Sequence, residues 1–134
     1  MKLYALRLRP NQDLKKELIK FTKENKIQSG FIITCVGSLR KATLRMADEN
    51  IVKDYENRFE INSLSGTLCQ DDVHLHVSLS DENGSEIGGH LKEGCIIYVT
   101  AEIVIGEAED MLFSREFDKE TGFNELEIRG DVHG

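Results

Sequence analysis

The sequence predicts an α+β fold, a largely antiparallel β-sheet with a helix on one face, and three observations carry that prediction. One segment alone, from about Gln12 to Glu24, places apolar residues at helical spacing. Nearly everything after it reads as alternating or continuous apolar runs of strand length, divided by short polar turns. Pro10 is the single proline, and there is no low-complexity segment, internal repeat or linker. At 134 residues the chain is expected to form one domain, 1–134, that buries roughly two-thirds of its unfolded surface.

Taken in order, Lys2 to Arg9 alternates as a strand, and Pro10-Asn11-Gln12-Asp13 breaks it. Asn11 or Asp13 is available to cap the helix that follows, and Asp13 suits its positive end. Leu14, Leu18, Phe21 and Ile27 mark the apolar stripe, with Gly30 as the stop. Phe31 to Val36 is a continuous apolar run of buried-strand length, which Gly37-Ser38 is expected to end. Two further strands, Ala42 to Ala47 and Phe59 to Leu64, flank a polar connection containing Asp48-Glu49-Asn50. Gly66-Thr67-Leu68-Cys69 leads into an alternating strand, Val73 to Ser80. Cys95 to Ile105 and Met111 to Phe117 are strands, Asp118 to Gly122 is a turn, and Phe123 to Ile128 closes the fold.

Composition narrows the function classes. Hydrophobic residues at 40% and charged residues at 31% are those of an ordinary globular protein. No apolar run approaches the ~20 residues of a membrane-spanning helix, and the N-terminus lacks the apolar core and cleavage site of a signal peptide. Cys35, Cys69 and Cys95 are odd in number and widely spaced, which points to reduced thiols and a cytoplasmic location. The net charge of −7 repels phosphate, so nucleic-acid binding needs a local basic patch. None is evident: Lys15, Lys16, Lys20, Lys23 and Lys26 are interleaved with Glu17 and Glu24 on a solvated helix face.

Histidine placement is the strongest functional signal. Three of the four histidines, His74, His76 and His90, lie within one stretch. Alternation sends His74, His76, Ser78 and Ser80 to one face and Val73, Leu75, Val77 and Leu79 to the other. A three-residue loop Glu82-Asn83-Gly84, with Gly84 left-handed, pairs Asp81 with Ser85 and, counting back, His76 with His90. A two-residue loop would shift the register by one and send His90 to the opposite side, unless Gly88-Gly89 introduced a compensating bulge. Three converging imidazoles suit zinc or another divalent transition metal, with a fourth position open. Glu102, inside an apolar strand, and Glu60 are the candidate fourth ligand or supporting carboxylate; the alternative is that an arginine such as Arg45 or Arg58 satisfies each. For the histidines the alternative is a polar sheet face packed on a subunit partner.

Other chemistries fit poorly. Ser78 and Ser80 lack a tight Gly-x-Ser-x-Gly elbow, and the three cysteines lie in or beside apolar strands, where buried inert thiols are the rule. Gly84, Gly88 and Gly89 do not precede a helix as a phosphate-cradling loop does.

With these residues in view, the sequence resembles the plant and prokaryote conserved (PPC) domain family from about Tyr4 to Leu126. The resemblance is carried by Gly37-Ser38-Leu39, the run Glu60 to Thr67, the run His74 to Asp81, Gly88-Gly89-His90-Leu91 and Thr100-Ala101-Glu102. In plants this domain accompanies AT-hooks in nuclear-localised DNA-binding proteins, and in bacteria and archaea it stands alone. The resemblance implies a homotrimer, an antiparallel sheet flanked by a few helices, and more helix than periodicity shows, around Glu107 to Asp110. It implies a metal site at His74, His76 and His90. It also implies partner-protein contact through a segment that Arg58, Phe59, Glu60 and Ile61 match, although Asn57 and Asn62 depart from the pattern and the AT-hook core is missing. No reaction comes with it.

The leading expectation is therefore a small cytoplasmic homotrimeric binding or regulatory module with a three-histidine metal site. One alternative is a metal-dependent hydrolase in which Glu102 or Glu60 moves a proton. Another is DNA binding through Arg7, Arg9, Arg40, Lys41 and Arg45 clustered by assembly, against the net charge.

Overall fold

Strand β1 (Lys2–Leu8) leads into helix α1 (Leu14–Glu24), and all later elements are strands: β2 (Gly30–Arg45), β3 (Val52–Tyr55), β4 (Phe59–Leu68), β5 (Val73–Ser80), β6 (Glu86–Leu91), β7 (Ile96–Glu107), β8 (Met111–Asp118) and β9 (Phe123–Gly130). This is a computed structural model, and it describes residues 1–130; the last four residues of the expected domain lie outside the described residues. Every strand pairing is antiparallel.

Asp13 is the helix N-cap: its Oδ1 accepts from the Lys16 N–H at 3.0 Å. Its Oδ2 accepts from the Gly94 N–H at 2.8 Å, and the Leu14 N–H donates to the Cys95 carbonyl at 2.9 Å. These bonds tie the helix start to the entry of β7. Leu14 and Leu18 are fully buried, Phe21 meets Tyr4 edge-on, and Asn25 rather than Gly30 forms the C-cap.

Strand β2 departs most from the sequence expectation. Gly37-Ser38 does not end it, and the run Phe31–Val36 and the segment Ala42–Arg45 belong to one 16-residue strand, which stops short of Met46 and Ala47. The reason is steric. A Cβ on Gly37 would lie 2.1 Å from the Thr100 carbonyl oxygen, so the glycine permits close strand approach rather than a turn. Ser38 Oγ then accepts from the Val99 N–H at 3.2 Å, replacing a ladder bond lost where the register shifts between Gly37 and Leu39. Between and beyond the bulges β2 carries Leu39, Ala42 and Leu44 into the core.

The sheet order is β1-β7-β2-β4-β5-β6, with β3 on β2, and the end of β2 also pairs with β6. Strands β2, β4, β5 and β6 thus close into a ring around Leu39, Leu64, Leu75 and Leu79. Strands β8 and β9 form a separate two-stranded ribbon. One short helix replaces the few helices expected, and Glu107 to Asp110 is strand end and turn, not helix.

Gly37→Ala sets a side chain against backbone that cannot yield, and is expected to cost about 3 kcal/mol. Gly84→Ala meets nothing within 4 Å but keeps a φ of 78°, so it is expected to cost only about 1 kcal/mol. Urea unfolding midpoints of the two variants check that order.

Candidate metal centre

Val73, Leu75, Val77 and Leu79 are 4%, 2%, 4% and 0% exposed, so alternation along β5 turns His74 and His76 outward. The β5–β6 turn sets the third histidine. The Asp81 N–H donates to the Ser85 carbonyl at 3.0 Å, and Asp81 Oδ1 accepts from the N–H groups of Asn83 and Ser85 at 2.8 and 2.9 Å. With Gly84 left-handed, this is the three-residue loop, and His76 faces His90 across the strands.

The three rings form a triangle. Their centroids are 5.2 Å (His74 to His76), 5.1 Å (His74 to His90) and 5.5 Å (His76 to His90) apart. One ring nitrogen from each lies within 4.8 Å of the others. Burial foremost, then the Arg45 guanidinium, pushes the His90 pKa down to about 4. His74 is also held below the usual imidazole range, by burial and then by Arg115, partly opposed by Glu125. At neutral pH these two rings are therefore uncharged, the state that ligates a metal. This donor set fits zinc, whose nitrogen ligands sit at about 2.0–2.1 Å and which tolerates three imidazoles with an open position.

Arg45 complicates the third ligand. Strand β2 reaches β6 with Arg45 opposite His90, and Arg45 Nη2 stands 3.4 Å from His90 Nδ1. A guanidinium only donates, so this contact puts the ring proton on Nε2. Ligation through Nε2 needs the other tautomer, and ligation through Nδ1 needs the space that Arg45 occupies. A metal at His90 therefore displaces Arg45.

The carboxylates expected near the histidines are elsewhere in the chain. Glu102 pairs with Arg7 and Val36 on β7, three strand spacings or about 14 Å from β5. Glu60 pairs with Ser80, about 13 Å along β5 from His76. Neither belongs to the histidine group. Neither forms an ion pair with Arg45 or Arg58 among the described residues; Arg58 instead covers the Tyr98 ring at 4.9 Å. In the segment Arg58–Ile61, Phe59 and Ile61 face the core at 5% and 6% exposure, which leaves only Arg58 and Glu60 on the surface. Cys35, Cys69 and Cys95 are buried free thiols, and burial pushes Cys35 and Cys95 up to about 11, as inert core cysteines require.

Two residues of the site are absent from the sequence reading. A cleft of about 340 Å³ beside His74 and His76 is also lined by Ser65, Thr67, Arg115 and Glu125. Arg115 Nη2 donates to Thr67 Oγ1 at 2.8 Å, and its backbone N–H donates to Asp71 Oδ2 at 2.9 Å. The available signal was Arg115 itself, the one Lys or Arg between Lys92 and Lys119.

Residues 1–109 match the Plants and Prokaryotes Conserved (PCC) domain. Over 130 residues the chain is 49% identical to the bifunctional protein GlmU of Synechococcus sp. (strain JA-3-3Ab), covering 96% of this chain and 21% of that protein. It thus spans about a fifth of the length of the two cyanobacterial relatives it matches. A hypothetical protein from Salmonella superposes with a TM-score of 0.94 at 37% identity, over 98% of this chain and 95% of that one. A metal-containing protein from Archaeoglobus fulgidus superposes at 0.80 with 27% identity, over 95% and 94% of the two chains.

Acid should weaken the metal-free fold. Between about pH 6.5 and 4 the unfolded chain protonates His90 and the folded chain does not, so stability falls as pH drops through that window and levels off below it. Thermal unfolding from pH 7 to 4 is expected to show this slope, reduced in His90→Gln. Arg45→Gln removes a cation from beside the third ring and offers an acceptor to its N–H. It is expected to tighten zinc binding about tenfold, or ~1.4 kcal/mol, by competition with a chromophoric chelator.

Proposed function

The chain belongs to the Plants and Prokaryotes Conserved (PCC) domain family, and from that membership we propose that it is a metal-holding binding module. His74, His76 and His90 are the ligands, and zinc is the first-choice ion. The observation that carries this reading is the convergence of three ring nitrogens within 4.8 Å of one another, two of the rings biased to the neutral form. The metal-containing relative from Archaeoglobus fulgidus supports it. Zinc has no geometric preference of its own from d-electrons, so three imidazoles on a twisted sheet can hold it with one position left for an exogenous ligand.

The working form proposed is a cytoplasmic homotrimer. Among the described residues strand β1 pairs only with β7, and Leu3 on β1 and Val36 on β2, with β7 between them, are 59% and 61% exposed, an edge and an apolar surface that closed symmetry would cover. Among the described residues no helix is long and apolar enough to cross a membrane. Duplex DNA binding would have to come from Arg7, Arg9, Arg40, Lys41 and Arg45 against a net charge of −7.

The open cleft favours a hydrolytic second reading. A bound zinc would supply a Lewis acid and an acidified water there, and the Glu125 carboxylate lines the same cleft as a proton acceptor.

Protein purified without a histidine tag is expected to carry about one zinc per chain by elemental analysis after reconstitution. His76→Ala should lower that below a tenth while leaving the circular dichroism spectrum unchanged. Light scattering of the same sample should give three times the 15.2 kDa chain mass. Metal-dependent ester or phosphoester turnover that His76→Ala abolishes would establish the hydrolytic reading; its absence leaves the binding module.

A further inference from the structure

Beside the histidines, the ribbon of β8 and β9 brings to the cleft a cation, Arg115, that forms no direct ion pair among the described residues, and one carboxylate, Glu125. Among the described residues no carboxylate lies within 4.0 Å of the Arg115 guanidinium, in a chain with 24 acidic residues. Its one side-chain partner is Thr67 Oγ1, reached through Nη2. Asp71 accepts from the Arg115 backbone N–H instead, which anchors the strand and leaves the guanidinium without a paired carboxylate. A guanidinium carries five N–H donors in a planar fork, and with one given to Thr67 most of this cleft-lining group's donor capacity is unspent.

We infer that this cleft is the subsite for a small oxyanion, a terminal carboxylate or phosphate, which Arg115 clamps beside the three-histidine centre. The inference deepens the metal-site reading and rests on it for the ligand's second contact only. Three features converge on this class of ligand. First, the fork geometry of Arg115 matches two oxygens of one group, and the hydroxyls of Thr67 and Ser65 line the same wall as neutral hydrogen-bond donors. Second, the charge balance calls for an anion. A divalent ion on neutral imidazoles together with Arg115 outweighs the single carboxylate of Glu125, so the occupied cleft is locally cationic within a chain of net charge −7. Third, about 340 Å³ is at the small end of metabolite-sized sites and admits a compact ligand. Arg115 and Glu125 both lie beyond residues 1–109, so the clamp comes from the ribbon that follows the family-matched segment.

The test is isothermal titration of zinc-reconstituted, untagged protein with inorganic phosphate and, separately, with acetate, against sodium chloride at equal ionic strength. Zinc content is measured on each sample. One or both anions should bind once per chain with a dissociation constant of about a millimolar or tighter. Arg115→Met should weaken that binding at least tenfold while zinc stays at one equivalent. Arg115→Lys, which keeps the charge and loses the fork, should fall between the two and serves if Arg115→Met does not fold. The anion that binds more tightly identifies the terminal group. Full zinc loading with no binding of either anion, or binding indifferent to Arg115, overturns the inference. Low zinc with Arg115-dependent anion binding intact overturns the metal reading and leaves this one standing.

Discussion

The course of β2 past Gly37 is the constraint on which the rest of the molecule depends. A side chain at that position would collide with the Thr100 carbonyl, and without the Ser38 hydroxyl the Val99 N–H would lack its partner. Because both conditions are met, one strand of 16 residues pairs with β7 and β4 in its first part and with β3 and β6 in its last. The final pairing closes the ring. It sets Leu44 against Leu91 in the core and Arg45 against His90 at the surface. Core closure and site chemistry are therefore consequences of the same backbone path.

The site is a compromise between cations and rings that must stay neutral. Burial and Arg45 depress His90, and burial and Arg115 depress His74, so the folded chain disfavours the imidazolium form that would repel a metal. The same guanidiniums also oppose a divalent ion, Arg45 beside the His90 ring and Arg115 near His74. Arg45 hydrogen-bonds the ring that a metal needs, whereas Arg115 stands across the cleft with donors to spare. Glu125 partly offsets that excess at His74. In an acidic protein, the order of strands thus gathers Arg45, Arg115 and Glu125 around three imidazoles, a local charge pattern that net charge alone does not describe.

Parts of this arrangement were legible in the residues themselves. The alternation of β5 separated His74 and His76 from Val73, Leu75, Val77 and Leu79, because side chains on a strand alternate by geometry. The Asp81–Ser85 turn was legible because its three-residue loop needs a left-handed Gly84, and that turn alone fixes His76 opposite His90. Gly37-Ser38 was misread as a stop because the same glycine serves a turn or a close approach. Nothing local distinguishes the two; the Thr100 carbonyl that does so is 63 positions away in the chain. Glu102 and Glu60 were attractive as acids in apolar surroundings, yet strand order sets Glu102 three strands from β5, and the register sets Glu60 opposite Ser80, far along β5 from His76.

Sequence by itself determined what pairing within a hairpin or along a helix can determine: the capped helix at Asp13, the inward and outward faces of β5, and a triad of imidazoles from one turn. Those follow from dihedral preferences and a period of two, which act between near neighbours. Only the tertiary structure decided that β2 runs on to β6, that Arg45 lies against His90, and that Arg115 and Glu125 reach the same cleft. Such meetings depend on how whole strands are ordered around a shared core, a choice made by the summed burial of residues such as Leu39, Leu64 and Leu79 and not by any one segment.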